Sequence, residues 1–276
     1  MSNEEIIQIH IEPNTSCPGK CNFCPHNRVK RKETLGYDLF CKIVDEGRYL
    51  GCFNYTLFRL GDPLFFGDLF KWLDYLRVKH CTTDLFTNAF GLTDEKADKL
   101  IEYSDIINTI VFSVHGSNPI DYELIMGLDF SRTYDNIINF MEKKHQIPCE
   151  IFSLSKNITP ERESEYKKLW QDYNFTSIAL RNYVEWCGNI DDLANNNISK
   201  TRVPCVRLIK QLDIDCRGNV VLCCMDAFSD IIFGNINEES LQEILQKPLR
   251  QYYVEKHNSC QSAELPLCKN CSINAV

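Results

Sequence analysis

The stretch EPNTSCPGKCNFCPHNRVKRKET, residues 12–34, carries cysteines at 17, 21 and 24 in a segment too rich in Pro, Gly and Asn for a helix or a central strand. Three thiols spaced Cys-x3-Cys-x2-Cys on one flexible loop can wrap a single metal centre and leave one coordination position open. An open position marks catalysis, whereas a closed shell marks a structural site. A zinc site completed by His26 fits the same spacing, so the residue types alone leave a four-iron cluster and a zinc ion both open.

Around this loop lies a chain of 276 residues, 44% of them hydrophobic, enough for one large α/β domain or a medium domain with a smaller one. No apolar run approaches the ~18 residues of a membrane span, and MSNEEIIQIH lacks the basic and apolar regions of a secretory signal. A cytoplasmic location is therefore expected. In a reducing compartment, fifteen cysteines point to metal ligation rather than to a disulfide framework. A net charge of −8 argues against a general nucleic-acid binder. The one basic patch, Arg28 to Lys32, is expected to be a solvated loop; its functional alternative is attraction of an anionic substrate or a reductase.

From residue 6 to about 182, strand-like runs alternate with helix-like ones, the pattern of βα units and a parallel sheet. The strands are expected at 6–11, 55–60, 83–88, 107–114, 149–154 and 177–182, two units short of a complete (β/α)8 barrel. Thr93 before Asp94 and Glu95, and Thr159 before Pro160, read as helix starts. The stretch 185–204 reads as a polar connection, with Asn195–Asn197 as its low-complexity core. Beyond it, LIKQLDI and NVVLCC flank Gly218-Asn219 as a hairpin, and Ser240 with Glu243 forms a capping box at a helix start.

This second module holds another cysteine set, Cys205, Cys223, Cys268 and Cys271, whose four thiols make a closed shell. A structural zinc competes for such a set. Cys224 adjoins Cys223, and neighbours on a strand point to opposite faces, so only one joins readily. Cys260 is read as a loop thiol and a substitute ligand. Cys41, Cys52, Cys81 and Cys149 are read as small core residues.

IEPNTSCPGKCNFC resembles the signature of the radical S-adenosylmethionine (SAM) enzymes, and RLGDPLF, FTNAFGLT and FSVHGSNPIDYELIMGLDFSRTYDNI resemble the family's stretches on strands two to four. Where the family has Gly-Gly-Glu-Pro, this chain has Leu60-Gly61-Asp62-Pro63. The resemblance implies an α/β fold, a partial (β/α)6 TIM-like barrel over residues 1–184. It also implies that Cys17, Cys21 and Cys24 hold a [4Fe-4S] cluster whose open iron binds SAM. Phe23 would help seat the adenine, Gly61 and Asp62 would meet the methionine amine, and Ser113 would approach the ribose or carboxylate. Asn88 belongs to the same cleft. Electron transfer into bound SAM would release methionine and a 5′-deoxyadenosyl radical, which abstracts hydrogen from an unactivated carbon. A closed cavity is needed to contain such a species.

Residues 185–276 resemble the short twitch form of the SPASM extension, with Cys205, Cys223, Cys268 and Cys271 around one auxiliary [4Fe-4S] cluster; the Gly218-x4-Cys223 match favours Cys223 over Cys224. KRKET and LCKNC are also similar to family members that oxidise a small cyclitol. That likeness implies a dehydrogenase acting on a sugar, cyclitol or nucleoside-like molecule, with the auxiliary cluster as electron acceptor and an external donor such as flavodoxin or ferredoxin. The arginine that such members place before a Gly-Gly is replaced by NYVEWCGNI; Arg181 and Arg207 are the candidate replacements. His10 is expected either to line the cavity or to be a satisfied core histidine. Cys187 is a candidate hydrogen donor, which would make the enzyme an epimerase, or an incidental loop thiol. A peptide maturase and, from another class, a zinc-stabilised binding module complete the alternatives.

Overall fold

Runs of Ile, Val, Phe and Thr become strands where alternate side chains can be buried. The computed structural model describes residues 5–143, 146–190 and 201–273, and all six expected strands are present. They are β1 (Gln8–Ile11), β2 (Asn54–Thr56), β3 (Thr82–Thr87), β4 (Ile107–Ser113), β5 (Cys149–Ser155) and β6 (Ser177–Asn182). Between them lie α1 (Tyr37–Tyr49), α2 (Leu69–Val78), α3 (Asp94–Ile101), the pair α4 (Pro119–Met126) and α5 (Phe130–Glu142), and α6 (Pro160–Trp170). The second strand is shorter than expected. Residues 191–200, with Asn195–Asn197, lie outside the described residues.

The chain divides into two compact units. One comprises Ser16–Asn27 and Thr56–Tyr183. In it β3, β4, β5 and β6 pair in parallel, with Val111 opposite Glu150, Ser113 opposite Phe152 and Leu154 opposite Arg181. Phe112 sits on one face of this sheet, edge-on to Phe140 of α5 at 6.1 Å and to Phe175 at 6.2 Å. By alternation, Ser113, Glu150, Phe152 and Arg181 occupy the other face. The helix starts are set by side-chain caps: Thr93, Asn118, Asp129 and Thr159 accept from the backbone N–H groups of Lys96, Asp121, Arg132 and Arg162. Each such cap contributes about 1 kcal/mol.

The other unit comprises Met1–Thr15, Arg28–Tyr55 and Val184–Val276. Its elements after residue 200 are α7 (Val206–Ile209), β7 (Gln211–Ile214), β8 (Asn219–Val221), β9 (Ile232–Asn235), α8 (Leu241–Leu245) and α9 (Pro248–Asn258). β1 pairs with β7 in parallel, and β7, β8 and β9 form an antiparallel meander. The hairpin turn uses Gly218 at φ +84, a conformation that Gly adopts without strain. Leu208 and Ile209, expected in the first hairpin strand, belong instead to α7, because the Cys205 carbonyl accepts from both of their N–H groups. The capping box at Ser240 and Glu243 forms as expected.

The basic patch departs from expectation at its centre. Arg31 is buried, not solvated: Nε and Nη2 donate to the two Glu12 oxygens at 2.7 and 2.8 Å, and Nη1 donates to the Ala227 carbonyl at 2.7 Å. A buried arginine requires such a bidentate partner, and Glu12 at the end of β1 supplies it.

Candidate functional site

The last carbonyls of a helix have no partner within it. At the end of α4, those of Ile125 and Met126 accept from the backbone N–H groups of Asn22 at 3.2 Å and Lys20 at 2.8 Å. This fixes the loop that carries Cys17, Cys21 and Cys24. Gly127 ends α4 in the left-handed conformation, φ +63, and faces the Lys20 side chain. Gly19 lies between two of the thiols; a Cβ there would stand 3.5 Å from Cys17 Sγ and 3.6 Å from Cys21 Sγ.

Donors approach these sulfurs. The N–H groups of Gly19 and His26 donate to Cys17 and Cys24, and Asn88 Nδ2 donates to Cys17 Sγ at 3.5 Å. Burial pushes the Cys17 thiol up to about 12, with the Asp62 carboxylate adding to the effect, and the Cys24 thiol up to about 11. Such groups become thiolates when a cation arrives to compensate the charge.

Asp62 follows half-buried Gly61 and is itself fully enclosed. Its carboxylate accepts from Thr87 Oγ1 at 2.9 Å, from Asn88 N at 2.8 Å and from Leu64 N at 3.0 Å. Burial raises its pKa and the Asn88 and Leu64 amides oppose the shift. The acid thus ties the Leu60–Pro63 turn to the end of β3 and orients Asn88 toward Cys17.

Phe23 packs against Tyr183 with ring centroids 4.5 Å apart and edge-on to His115 at 4.9 Å. His115 accepts from Leu154 N at Nδ1, 3.1 Å, and burial lowers its pKa to about 3. Beside these rings opens a cavity of about 220 Å³ whose lining includes Gly116, Ser117, Ser153, Ser155, Arg162 and Tyr183. Asp121 at its edge accepts from Ser117 at 3.1 Å and from Arg162 Nη2 at 2.9 Å. Ser113 is not in this lining; it is half-buried on the sheet face opposite Phe112. Arg181 shares that face, 5.0 Å from the Phe152 ring centroid and 3.9 Å from Glu150. Sequence reasoning passed over His115, Tyr183, Ser153 and Ser155. The serine pair was legible as an i, i+2 repeat at the end of a strand.

In the unit that contains the C-terminal region, Cys205, Cys223, Cys268 and Cys271 act electrostatically on one another, and all but half-exposed Cys205 are buried. Arg202 clamps their C-terminal turn, donating to the carbonyls of Cys271 and Lys269 at 2.6 Å each, and His257 Nε2 lies 3.4 Å from Cys268 Sγ. Buried Cys187 joins this set: its thiol is within hydrogen-bonding reach of Cys223 and Cys271, and these two contacts, with burial adding to them, drive its pKa up. Cys260 is exposed. Cys52, Cys81 and Cys149 are buried as expected, whereas Cys41 is only half-buried.

Cys224 belongs to a different group. Its sulfur lies 2.9 Å from Arg207 Nη1 and within 4.8 Å of ligand atoms of His10 and Asp213. His10 contacts Asp213 at 3.0 Å through Nδ1 and Gln8 at 3.1 Å through Nε2, the geometry of a satisfied buried histidine. Among the described residues this is the group whose three ligand atoms all fall within 4.8 Å of one another; neither cysteine set is that tight. Backbone N–H groups donate to Cys17, Cys24 and Cys205, and Asn88 adds a side-chain donor to Cys17, the hydrogen bonding to sulfur that iron-sulfur clusters use.

The comparisons agree with this donor chemistry. A family model described as the radical SAM superfamily matches residues 11–161, and one described as the SPASM iron-sulfur cluster-binding domain matches residues 205–272. The S-adenosyl-L-methionine-dependent 2-deoxy-scyllo-inosamine dehydrogenase of Niallia circulans is 21% identical over 269 residues, covering 96% of this chain and 92% of the relative. The crystal structure of BtrN in complex with AdoMet and 2-DOIA is similar over 96% of this chain and 92% of that one, with a TM-score of 0.66 at 16% identity. That of Streptococcus suis SuiB bound to precursor peptide SuiA is similar over 98% of this chain and 71% of that one, TM-score 0.74 at 17% identity. With its family model spanning more than half of the sequence, including the Cys17–Cys24 loop, this chain belongs to the radical SAM superfamily, enzymes that use SAM on a [4Fe-4S] cluster, and it carries a SPASM module for auxiliary iron-sulfur binding.

Proposed function

We propose that this enzyme oxidises an alcohol carbon of a small polar substrate, a sugar, cyclitol or nucleoside-like molecule. The observation that carries the proposal is the second thiol set, Cys205, Cys223, Cys268 and Cys271, which offers four sulfurs to one auxiliary cluster. When bound, the two clusters and SAM supply a 5′-deoxyadenosyl radical and a one-electron acceptor. With the first cluster held by Cys17, Cys21 and Cys24 and the auxiliary one by Cys205, Cys223, Cys268 and Cys271, one electron from an external donor would cleave SAM, and loss of a hydrogen atom, the hydroxyl proton and one electron from the carbinol would leave a ketone, with one 5′-deoxyadenosine and one methionine per turnover. The near full-length match to a dehydrogenase supports this reaction class.

Cys17, Cys21 and Cys24 hold the SAM-binding cluster in this proposal, with Asn88 donating to Cys17. Phe23, His115 and Tyr183 form an aromatic wall beside the 220 Å³ cavity, suited to an adenine edge. Gly61 and Asp62 act through the turn they build, and Ser113 and Arg181 offer polar groups to substrate. Oxidation is preferred over epimerisation because Cys187, the thiol considered as a hydrogen donor, is engaged with Cys223 and Cys271.

The test is anaerobic reconstitution with iron and sulfide counting, then incubation with SAM, dithionite and 2-deoxy-scyllo-inosamine. Two [4Fe-4S] clusters give about eight irons per chain, falling to about four in a Cys17, Cys21, Cys24 triple alanine variant that makes no 5′-deoxyadenosine. Stoichiometric ketone supports the dehydrogenase. Solvent deuterium retained at carbon without oxidation identifies an epimerase. 5′-Deoxyadenosine formed while this cyclitol and a panel of related polyols stay unreacted directs the search to peptides, the ligand class in the SuiB complex.

A further inference from the structure

Cys187 is held in place by more than its own contacts. Glu185 accepts from the Ser272 backbone N–H at 2.5 Å and from its hydroxyl at 2.6 Å, stapling the segment to the residue after Cys271. Trp186 and Cys187 both adopt positive φ, +51 and +57, and two successive non-glycine residues in that region are a strained arrangement that surroundings must enforce. Gly188 follows at φ +83, so close to Asn270 that a Cβ would stand 3.0 Å from the Asn270 Cβ. The backbone is bent to aim one thiol at the sulfurs of Cys223 and Cys271.

We propose that Cys187 is a fifth thiol of the auxiliary centre, not a ligand but an S–H donor shared between the ligand sulfurs of Cys223 and Cys271 that raises the reduction potential of the cluster. A cysteine thiol at its ordinary pKa of about 8.5 is protonated at neutral pH, as a donor must be. Hydrogen bonds to ligand sulfur favour the reduced, more electron-rich cluster, so they move the potential upward. Cys187 gains and loses neither proton nor electron. The use of this tuning rests on the oxidation proposed above: a higher potential makes the centre a better acceptor of the substrate electron.

The experiment is a potentiometric EPR titration of the reconstituted full-length enzyme, following the cluster signal that added SAM does not perturb. In Cys187→Ala the iron content stays at about eight per chain while the midpoint potential of that signal becomes more negative, and Cys187→Ser recovers part of the shift. An unchanged potential overturns the proposal, and so does a loss of about four irons, which would make Cys187 a ligand. If Cys187→Ala does not fold, Glu185→Gln loosens the staple; the same negative shift is expected, and its absence overturns the proposal. Failure of the oxidation reading shows separately, as absence of ketone in the wild type with the potential shift intact.

Discussion

Arg31 and Glu12 meet through two parallel hydrogen bonds of 2.7 and 2.8 Å with both side chains buried, and the remaining Arg31 nitrogen donates to Ala227, 196 residues away. Glu12 also accepts from the backbone N–H of Cys216 at 3.3 Å. The pair therefore joins the end of β1 to the loops around β7 and β8. Arg31→Ala takes the arginine away from a buried carboxylate, which costs roughly 3–5 kcal/mol. A clearly lower thermal midpoint is expected. Arg31→Lys, which lacks the two-pronged geometry, should fall between the variant and the wild type.

Asp62→Ala removes the acceptor shared by Thr87, Asn88 and Leu64 and frees Asn88 from its orientation toward Cys17. Each stranded donor costs about 1–3 kcal/mol. Weaker SAM binding is expected, measured by equilibrium dialysis on the reconstituted enzyme, together with a lower melting temperature.

Gly116 adopts φ +131, and a Cβ would approach the Tyr122 nitrogen to 2.4 Å. Gly116→Ala must therefore displace the start of α4 and deform the 220 Å³ cavity. SAM affinity should drop at least tenfold, a change of about 1.4 kcal/mol. Gly67→Ala, where a Cβ meets nothing within 4 Å, is the control and should bind normally.

His115 predicts an acid-side loss of stability. Its pKa in the folded protein is lowered to about 3 by burial, against about 6.5 in the unfolded chain. Below pH 6.5 the unfolded state takes up a proton that the folded state refuses, so stability is fully present above that pH and declines toward pH 3. Between pH 7 and pH 5 the loss is about 2 kcal/mol. Thermal melts across that range should show the decline, and His115→Phe should flatten it.

The strands of the repeating region were legible because their signal is local: alternating apolar residues bounded by turn chemistry, as in β3 and β5, and caps such as Thr93 and Thr159. The cysteine sets were legible through spacing. What escaped depends on pairing across long separations. Arg31 reads as part of a solvated run until Glu12 and Ala227 are brought to it. Strand β9 is only four residues long, and α9 carries too mixed a pattern to stand out. Cys187 gave no sign of its neighbours, because its position follows from a strained turn stapled by a residue 87 positions from Glu185.

The Cys17–Cys24 loop is anchored to the last carbonyls of α4 through the backbone N–H groups of Lys20 and Asn22. Side-chain changes at Lys20 and Asn22 therefore leave the anchor in place, whereas a proline at either position would remove one of its two donors and loosen the loop that carries the thiols.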